Sequence, residues 1–304
     1  MAHILVYSDV NSRVAELVTF AQSAGADVDV LALSPAQAEE LAECGATTLL
    51  TADSGDATPE SCASSVADVV TSRNVDLVVI GSTARGLDLA AQLAGYLGWG
   101  YGADVTNPSY ADGVVTFERS TYGGTVMSEQ KIEGHGVITI GRGSFAAASG
   151  AVSATESVDV HGDERIRVVG REEIPTQGVD ITSAERVVSV GMGTPAEEDI
   201  QIARDMADAM NGAIACSRGV AEERNWLPMD SYVGISGKVI QPKLYLAMGI
   251  SGQVQHMYGV RDAKTIVAVN TDKNAPICTR GSDYFIVGDM KEYGPLITAE
   301  ISKL

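Results

Sequence analysis

The sequence is poor in positive charge and has no long apolar run, and each shortage excludes a class of partner. Its 304 residues include 21 Lys and Arg against 40 Asp and Glu, which gives a formal net charge of −19 at pH 7. Nonspecific nucleic-acid binding and anionic membrane surfaces both require an excess of cations, so we expect neither. No apolar run is long enough to span a bilayer, and the first residues lack the basic segment of a signal peptide. We therefore expect a cytoplasmic protein with no direct membrane insertion.

Paired cysteines and histidine clusters are also missing. The four cysteines, Cys44, Cys62, Cys216 and Cys278, form no CxxC pair, and the histidines are isolated in the sequence. This pattern is typical of reduced thiols and predicts neither a metal site nor a disulfide framework. No Ser/His/Asp arrangement can be defended from spacing, so we predict no catalytic residue.

What the chain does contain is the composition of a soluble α/β protein. Hydrophobic residues make up 45% of the sequence, and 32 glycines suit the tight turns between strands and helices. In the N-terminal half, apolar strand-like segments alternate with amphipathic helical ones, from Ile4–Ser8 to Leu77–Gly81. That alternation predicts a doubly wound, mostly parallel sheet. Val114–Glu118, Gly124–Glu129 and Val137–Ile140 follow without helices between them and predict an antiparallel extension.

A second strand–helix alternation begins near Arg186 and predicts a smaller α/β domain with a parallel sheet. Residues from about 149 to 183 are rich in Ser, Glu and Gly, with short apolar alternations such as Ile166–Val169, and are interpreted as a pairing strand followed by a linker. We therefore divide the chain into an N-terminal α/β domain with its antiparallel extension and linker, residues 1–180, and a C-terminal domain, residues 181–304.

The most informative stretch is Pro242–His256, in which the apolar run Leu244–Met248 ends at Gly249 and a helix-like segment follows Ser251-Gly252. A strand that turns into a helix at a glycine-rich bend leaves backbone N–H groups facing outward, where they can bind phosphate. The same Gly-Ile-Ser-Gly letters occur at residues 234–237, so two such loops could hold one elongated ligand. Each loop taken alone could equally be an ordinary tight turn.

Known nucleotide motifs do not account for these loops. GxxxxGK[ST] is absent, and the segment Gly191-Met192-Gly193 lacks the third glycine of a dinucleotide fingerprint. However, residues 233–238, 242–256, 264–270, 275–277 and 282–284 occur in an order that closely resembles the C-terminal FAD domain of the electron transfer flavoprotein α subunit (FixB) family. The N-terminal half is similar more loosely, through residues 80–86 and 141–145.

The resemblance implies a set of FAD-binding residues at matching positions. The implied set is Ser217, Arg218, Val233, Gly234, Ile235, Ser236, Ser251, Gly252, Gln253, Val254, Gln255, His256, Asn270 and Asp283. The segment from Ser251 to His256 would hold the pyrophosphate through backbone N–H groups and the Ser251 hydroxyl.

The resemblance also implies individual roles around the cofactor. His256 would supply positive charge or a hydrogen bond near the flavin pyrimidine carbonyl. Arg218 would lie against the isoalloxazine and Ser236 would approach the N5 region, while Asn270 and Asp283 would contact the adenosine end. Taken singly, each residue has an ordinary alternative: His256 could pack on its own helix, and Arg218 could pair with a surface carboxylate.

Two positions depart from the family pattern. Met192 replaces an arginine that the family commonly carries between the two glycines, which removes a cation expected near the FAD. Ile235-Ser236 replaces the frequent Gln-Thr, which changes the hydrogen bonding beside the flavin. Both departures bear on the redox potential, and the first bears on FAD affinity.

The resemblance implies an electron carrier that binds FAD and forms a heterodimer with an electron transfer flavoprotein β subunit. It would exchange electrons with a dehydrogenase, of the acyl-CoA class, and would turn over no substrate of its own. Two alternatives stay open: an NAD-dependent enzyme, and a non-redox regulator that binds adenine nucleotides. The direction of electron flow, and whether the β subunit holds AMP or a second FAD, also stay open.

Overall fold

The computed structural model describes residues 2–124, 126–172 and 180–303. The chain divides into two compact units, Met1–Thr121 with Met127–Glu172, and Tyr122–Val126 with Glu173–Leu304.

The first unit is built on one nine-stranded sheet. Its strands are β1 (His3–Tyr7), β2 (Asp27–Ala32), β3 (Thr48–Thr51), β4 (Leu77–Gly81), β5 (Gly100–Ala111), β6 (Val114–Thr121), β7 (Val126–Glu133), β8 (Gly136–Ile140) and β9 (Ala154–Ser157). Its helices are α1 (Asn11–Ser23), α2 (Pro35–Glu40), α3 (Ala63–Ser72) and α4 (Ala84–Leu97). The strand order is β7-β6-β5-β8-β4-β1-β2-β3-β9.

The centre of this sheet confirms the predicted doubly wound architecture. Ile4 of β1 lies in register with Val28 of β2 on one side and with Leu77 of β4 on the other, and both pairings are parallel. The strand order therefore reverses at β1, with β2 and β3 on one side and β4 on the other. The central strands are apolar on both faces because helices cover both sides of a parallel sheet.

The antiparallel extension is smaller than predicted. β5 and β6 are antiparallel, but β8, which contains the predicted segment Val137–Ile140, runs parallel to β4 and to β5 inside the sheet. The prediction for that segment was wrong because sequence alternation does not show which neighbours a strand pairs with. β5 was not predicted at all, since its register shifts twice and Asp104 and Asn107 have positive φ, which hides any period of two.

The pairing strand expected after residue 149 is present but shifted. It is β9, which adds to β3 at the edge of the sheet in parallel register, with Thr48 opposite Ala154. Residues 166–169 form no regular element.

The second unit contains one five-stranded sheet whose pairings are all parallel, as predicted. Its strands are β10 (Arg186–Val190), β11 (Ala213–Cys216), β12 (Leu244–Met248), β13 (Ile266–Asn270) and β14 (Tyr284–Val287), in the order β11-β10-β12-β13-β14. Its helices are α5 (Ile200–Ala209), α6 (Val254–Tyr258) and α7 (Met290–Ile301). Here the strand order reverses between β10 and β12.

The helix predicted over Pro195–Met210 begins later, at Ile200, after a 3₁₀ turn over Glu197–Asp199. Its predicted apolar face is buried: Ala203 and Met206 lie in a core shared with residues of α7 and of the sheet. Among the described residues, no helix has the length and apolar character needed to cross a membrane.

Candidate functional site

A cleft of about 570 Å³ lies at the carboxyl edge of the second sheet. The loop that follows each strand contributes to its wall: Gly191–Gly193, Ser217–Gly219, Gly249–Ser251, Thr271–Asp272 and Gly288–Met290. The reversal of strand order between β10 and β12 separates the loops that leave them, which is where open α/β sheets bind ligands. The fold itself therefore places a binding crevice here.

Glycines let two of these loops pack backbone against backbone. A Cβ on Gly191 would lie 2.3 Å from the carbonyl oxygen of Gly249, and Gly249 itself has φ of +62°. The amide of Gly193 donates to the same carbonyl over 2.9 Å. Side chains at these positions would push the loops apart, so the floor of the cleft depends on glycine.

The loop after β12 exposes a row of unused hydrogen-bond donors. The backbone N–H groups of residues 250–255 donate to no other described residue. The loop is held in place from outside, because Asn270 Nδ2 donates to the Ile250 carbonyl over 2.8 Å and the Ile277 amide donates to the Ser251 carbonyl over 3.1 Å. Preorganised amides of this kind form a concave anion site.

The helix expected after Ser251-Gly252 is only one short turn, α6, which begins at Val254 and has 5 residues. So few peptide units sum to a small macrodipole. A helix dipole therefore adds little here, and the individual amides of the loop provide the attraction for phosphate.

The second Gly-Ile-Ser-Gly loop lies against the first. The Ile235 amide donates to the Gln255 carbonyl over 2.9 Å, which joins the two loops directly. Val233 and Gly234 line the cleft, whereas Ile235 and Ser236 are exposed and lie outside its lining. The Ser236 hydroxyl is 2.7 Å from that of Tyr232, which does line the cleft.

The loop after β11 brings Ser217 and Arg218 to the cleft. Ser217 Oγ is buried and has no hydrogen-bond partner among the described residues. The exposed guanidinium of Arg218 pairs with Glu222 one helical turn away, and this bond raises the pKa of Arg218. The surface pairing considered as an alternative for Arg218 is thus present, in a side chain that also lines the cleft.

His256 is the most buried ionisable side chain of the predicted set, with 8% of its surface exposed. Burial lowers its pKa to about 4, and the Val233 backbone only partly opposes this shift. Its Nε2 lies 2.7 Å from the hydroxyl of Tyr245, and its Nδ1 has no full hydrogen bond among the described residues. These surroundings favour a neutral imidazole at pH 7, so of the two expected roles of His256 they favour the hydrogen bond over the positive charge; its contact with a flavin stays a prediction.

The far end of the cleft differs from the predicted one. Asn270 lines it, but Asp283 lies at the opposite edge of the sheet, where its carboxylate accepts the amide of Ile266 at the start of β13. Gly252 and Val254 also face a different cavity, together with Asp283. The structure brings Asp289 to the cleft beside Asn270 instead.

Asp289 carried a signal that the sequence analysis missed. It follows β14 after one glycine, Gly288, and so lies just past the carboxyl end of a strand, as Ser217 and Ser251 do after β11 and β12. Its carboxylate caps α7 by accepting the Lys291 amide over 2.8 Å. Together with Glu223 and Asp272 it gives the cleft three carboxylates, whereas Arg218 is the one arginine among the described residues that line it.

These features fit FAD. The loop amides suit a pyrophosphate, the unpartnered Ser217 Oγ supplies a buried polar atom that a ligand would satisfy, and the glycine-lined floor admits a flat group close to the backbone. Asn270 and Asp289 offer an amide and a carboxylate that suit ribose hydroxyls.

Comparison with known proteins agrees with this description. Residues 180–261 match the family model of the electron transfer flavoprotein FAD-binding domain, and residues 8–164 match that of the electron transfer flavoprotein domain. The chain is 36% identical over 310 residues to Protein FixB of Escherichia coli (strain K12), with 99% of both chains covered. It has the same identity and coverage with Protein FixB of Shigella dysenteriae and of Shigella flexneri.

Proposed function

Because this chain belongs to the electron transfer flavoprotein α family, we propose that it is the FAD-holding subunit of a cytoplasmic heterodimer with a β subunit. It binds FAD through its second unit and carries electrons to or from a dehydrogenase. The observation that carries this proposal is the row of unused amides at residues 250–255, at the switch point of a parallel sheet. Bound FAD supplies one- and two-electron chemistry, and the protein supplies the site.

The residues of the cleft divide into those that hold the pyrophosphate and those that orient the flavin. The phosphate charge is taken by the Ser251 hydroxyl and by the amides of the loop residues that line the cleft, Ile250, Ser251, Gln253 and Gln255. Ser217 Oγ and His256 supply polar atoms to the flavin, and Arg218 leaves Glu222 to stack on the ring, where its permanent cation favours reduced, anionic flavin.

The two remaining roles lie at the edges of the cleft. Ser236, now bonded to Tyr232, offers its hydroxyl toward N5 from just outside the lining. At the adenosine end Asn270 acts with Asp289, which takes the position we had expected for Asp283.

The cleft is poorly equipped for proton transfer, which supports a carrier over an enzyme. A general base works best with a pKa near the operating pH, and that of His256 is about 4. Asp272 and Glu223 are exposed, so their carboxylates are solvated and are not held against a ligand as a general base would be. Electron exchange needs no such base, because the flavin itself accepts and releases the electrons.

The visible spectrum of the chain co-purified with its β subunit tests the cofactor. We expect a yellow complex, and the double variant Ser251→Ala/His256→Gln should lose most of its flavin. Ser82→Ala is the matched control, since Ser82 follows β4 at the carboxyl edge of the first sheet, and it should stay yellow. A colourless wild-type complex that binds NADH or ATP would instead favour an NAD-dependent enzyme or an adenine-nucleotide regulator.

The electron donor is tested with the same complex. Mixing it with an acyl-CoA dehydrogenase and an acyl-CoA should bleach the flavin within the turnover time of the dehydrogenase, and neither addition alone should do so. Bleaching by NADH in the absence of any dehydrogenase would contradict the acyl-CoA assignment. The flavin count per heterodimer then distinguishes a simple carrier, with one FAD, from a complex whose β subunit holds a second.

A further inference from the structure

A buried hydrogen bond connects the cleft to the core of the second sheet. Tyr245 of β12 is fully buried, and its hydroxyl lies 2.7 Å from Nε2 of His256 on α6. The two rings are tilted by 44° with their centroids 6.1 Å apart, so they meet through polar atoms and do not stack. A hydroxyl in the middle of a buried strand is costly unless it is bonded, and His256 provides that bond.

The surroundings of the pair indicate which atom holds the proton. Among the described residues, the Tyr245 hydroxyl has one hydrogen-bond partner, Nε2 of His256. If Nε2 carried the imidazole proton, the buried phenol proton would have no acceptor, and burying it unpaired is costly. Nε2 is therefore the acceptor, and Nδ1 of the neutral imidazole is the protonated nitrogen.

The tyrosine side of the bond agrees with this assignment. Burial raises the pKa of Tyr245 far above its ordinary value, so the phenol keeps its proton. The Ser189 hydroxyl, on the neighbouring strand β10, is buried with no hydrogen-bond partner among the described residues, so it takes no proton from the phenol. The Tyr245 hydroxyl therefore donates its own proton to Nε2.

We propose that Tyr245 is a positioning residue that fixes His256 as the neutral tautomer protonated on Nδ1. This inference rests on the proposed function, in which His256 contacts the flavin. The ring then presents Nδ1–H as its one donor, in a fixed orientation, while its other nitrogen is occupied from behind by the sheet. His256 can polarise the flavin through this donor without exchanging a proton with it.

Nitrogen-15 NMR of histidine-labelled protein measures the tautomer directly. The sample is the full chain co-purified with its β subunit, and His256→Gln identifies the signals of His256 among the four histidines. We expect the wild type to show a protonated Nδ1 and an unprotonated Nε2 at pH 7. A protonated Nε2 would overturn the proposal without any variant, so the test does not depend on how a mutant folds.

Tyr245→Phe then tests the role of the hydroxyl. We expect the His256 signals to change to a mixture of both tautomers and the flavin midpoint potential to shift, with the FAD content unchanged. Tyr101→Phe is the matched control, because it removes a tyrosine hydroxyl that donates to the Leu87 carbonyl in the first unit, and it should leave the His256 tautomer as in the wild type. Unchanged signals in Tyr245→Phe would overturn the proposal.

The outcome is separable from that of the proposed function. A colourless complex would contradict FAD binding, yet the tautomer of His256 could still be measured on the same sample. A yellow complex with a protonated Nε2 would keep the carrier function and reject the role of Tyr245.

Discussion

Both sheets of this chain have a reversal of strand order in a parallel region, but the residues at the two switch points differ. In the first sheet, the ends of β1 and β4 are filled with polar side chains that satisfy one another. Thr83 Oγ1 donates to Asp9 Oδ1 over 2.5 Å, Arg13 donates to the Ser82 carbonyl over 3.0 Å, and Ser8 is fully buried. A ligand there would have to break these bonds.

In the second sheet the corresponding strand ends are glycines and unpaired donors. Gly191 and Gly249 keep the backbones close. Within the part of the chain that the structure describes, the amides of residues 250–255 have no acceptor and the buried Ser217 Oγ has no partner. The same architecture is thus closed in one unit and open in the other. The reversal of strand order provides a crevice in both sheets, and the residues at the strand ends decide whether that crevice is open to a ligand.

The largest effect is expected from closing the open crevice at Gly249. A Cβ at this position would lie 2.9 Å from the Gly193 carbonyl carbon, in a conformation with φ of +62°. Gly249→Ala should therefore displace the facing loop and abolish FAD binding, measured as flavin per protein after purification. The strain of positive φ adds a loss of about 1 kcal/mol in the free energy of unfolding.

Gly98→Ala separates the strain of positive φ from closure of the cleft as the cause of FAD loss. Gly98 has φ of +65°, but a Cβ there would meet nothing within 4 Å. The variant should lose a similar amount of stability and keep its full complement of FAD. Equal flavin loss in both variants would mean that strain, and not closure of the cleft, removes the cofactor.

The next effect concerns the neutral histidine in the open crevice. The pKa of His256 is about 4 in the folded chain, below its ordinary value of 6.5. Between these values the unfolded chain binds the proton and the folded chain does not, so stability falls as the pH falls through this window. The loss from pH 7 to pH 4.5 is on the order of 2–3 kcal/mol for this group.

Urea unfolding of the FAD-free chain at both pH values measures this loss. His256→Gln should reduce the pH-dependent part by about that amount, whatever its own stability at pH 7. His135→Gln, which changes a histidine on the surface of the first unit, should keep the pH dependence of the wild type. Identical pH profiles for the wild type and His256→Gln would show that His256 is not buried as a neutral group.

The strength of the sequence signal also differed between the two units. Strands with strong apolar runs, such as Leu77–Gly81 and Leu244–Met248, were predictable because burial on both faces leaves little choice of residue. β5 was not, since bulges at positive-φ residues break its alternation. The direction of a strand within its sheet could not be predicted from the sequence either, as β8 shows, because it depends on partner strands that are far away in the chain.

The candidate site was predictable only where the local sequence defines the backbone conformation. The Gly-Ile-Ser-Gly loops indicated a backbone cradle from turn chemistry alone, and the hydrogen bond from Ile235 to Gln255 places the two loops together. The burial of His256 against Tyr245 was not visible, because it depends on the packing of α6 on β12. Asp289 could have been preferred to Asp283 from the sequence, because Asp283 precedes β14 and Asp289 follows it, and parallel sheets bind ligands at the carboxyl ends of their strands.

A smaller effect is expected from opening the closed crevice. Thr83 both caps α4, by accepting the Gly86 amide over 2.8 Å, and donates to Asp9. Thr83→Val removes both bonds and should lower the free energy of unfolding by about 2 kcal/mol. Ser34→Ala removes only a cap, the bond from the Gln37 amide, and should cost about 1 kcal/mol.

Neither of these two variants should change the FAD content, since both positions lie in the first unit. Urea unfolding and the flavin-to-protein ratio, measured on the same preparations, check both statements. Loss of flavin in Thr83→Val would break the contrast between a closed and an open crevice.

The smallest effect is expected from adding charge to the open crevice at Met192. This side chain is 44% exposed and lies in the lining between two glycines, near a cleft whose carboxylates include Glu223 and Asp289. A cation there would attract the pyrophosphate, but solvent and the carboxylates would screen it, so Met192→Arg should tighten FAD binding by about 1 kcal/mol, roughly fivefold. Titration of the FAD-free complex by flavin fluorescence gives the dissociation constant, and the gain in affinity should shrink as the salt concentration is raised.

Met192→Gln is the control: it has a polar side chain without the charge and should bind FAD as the wild type does. A gain that is equal in both variants, or independent of salt, would assign the effect to packing at this loop and leave the phosphate charge compensated by the amides alone.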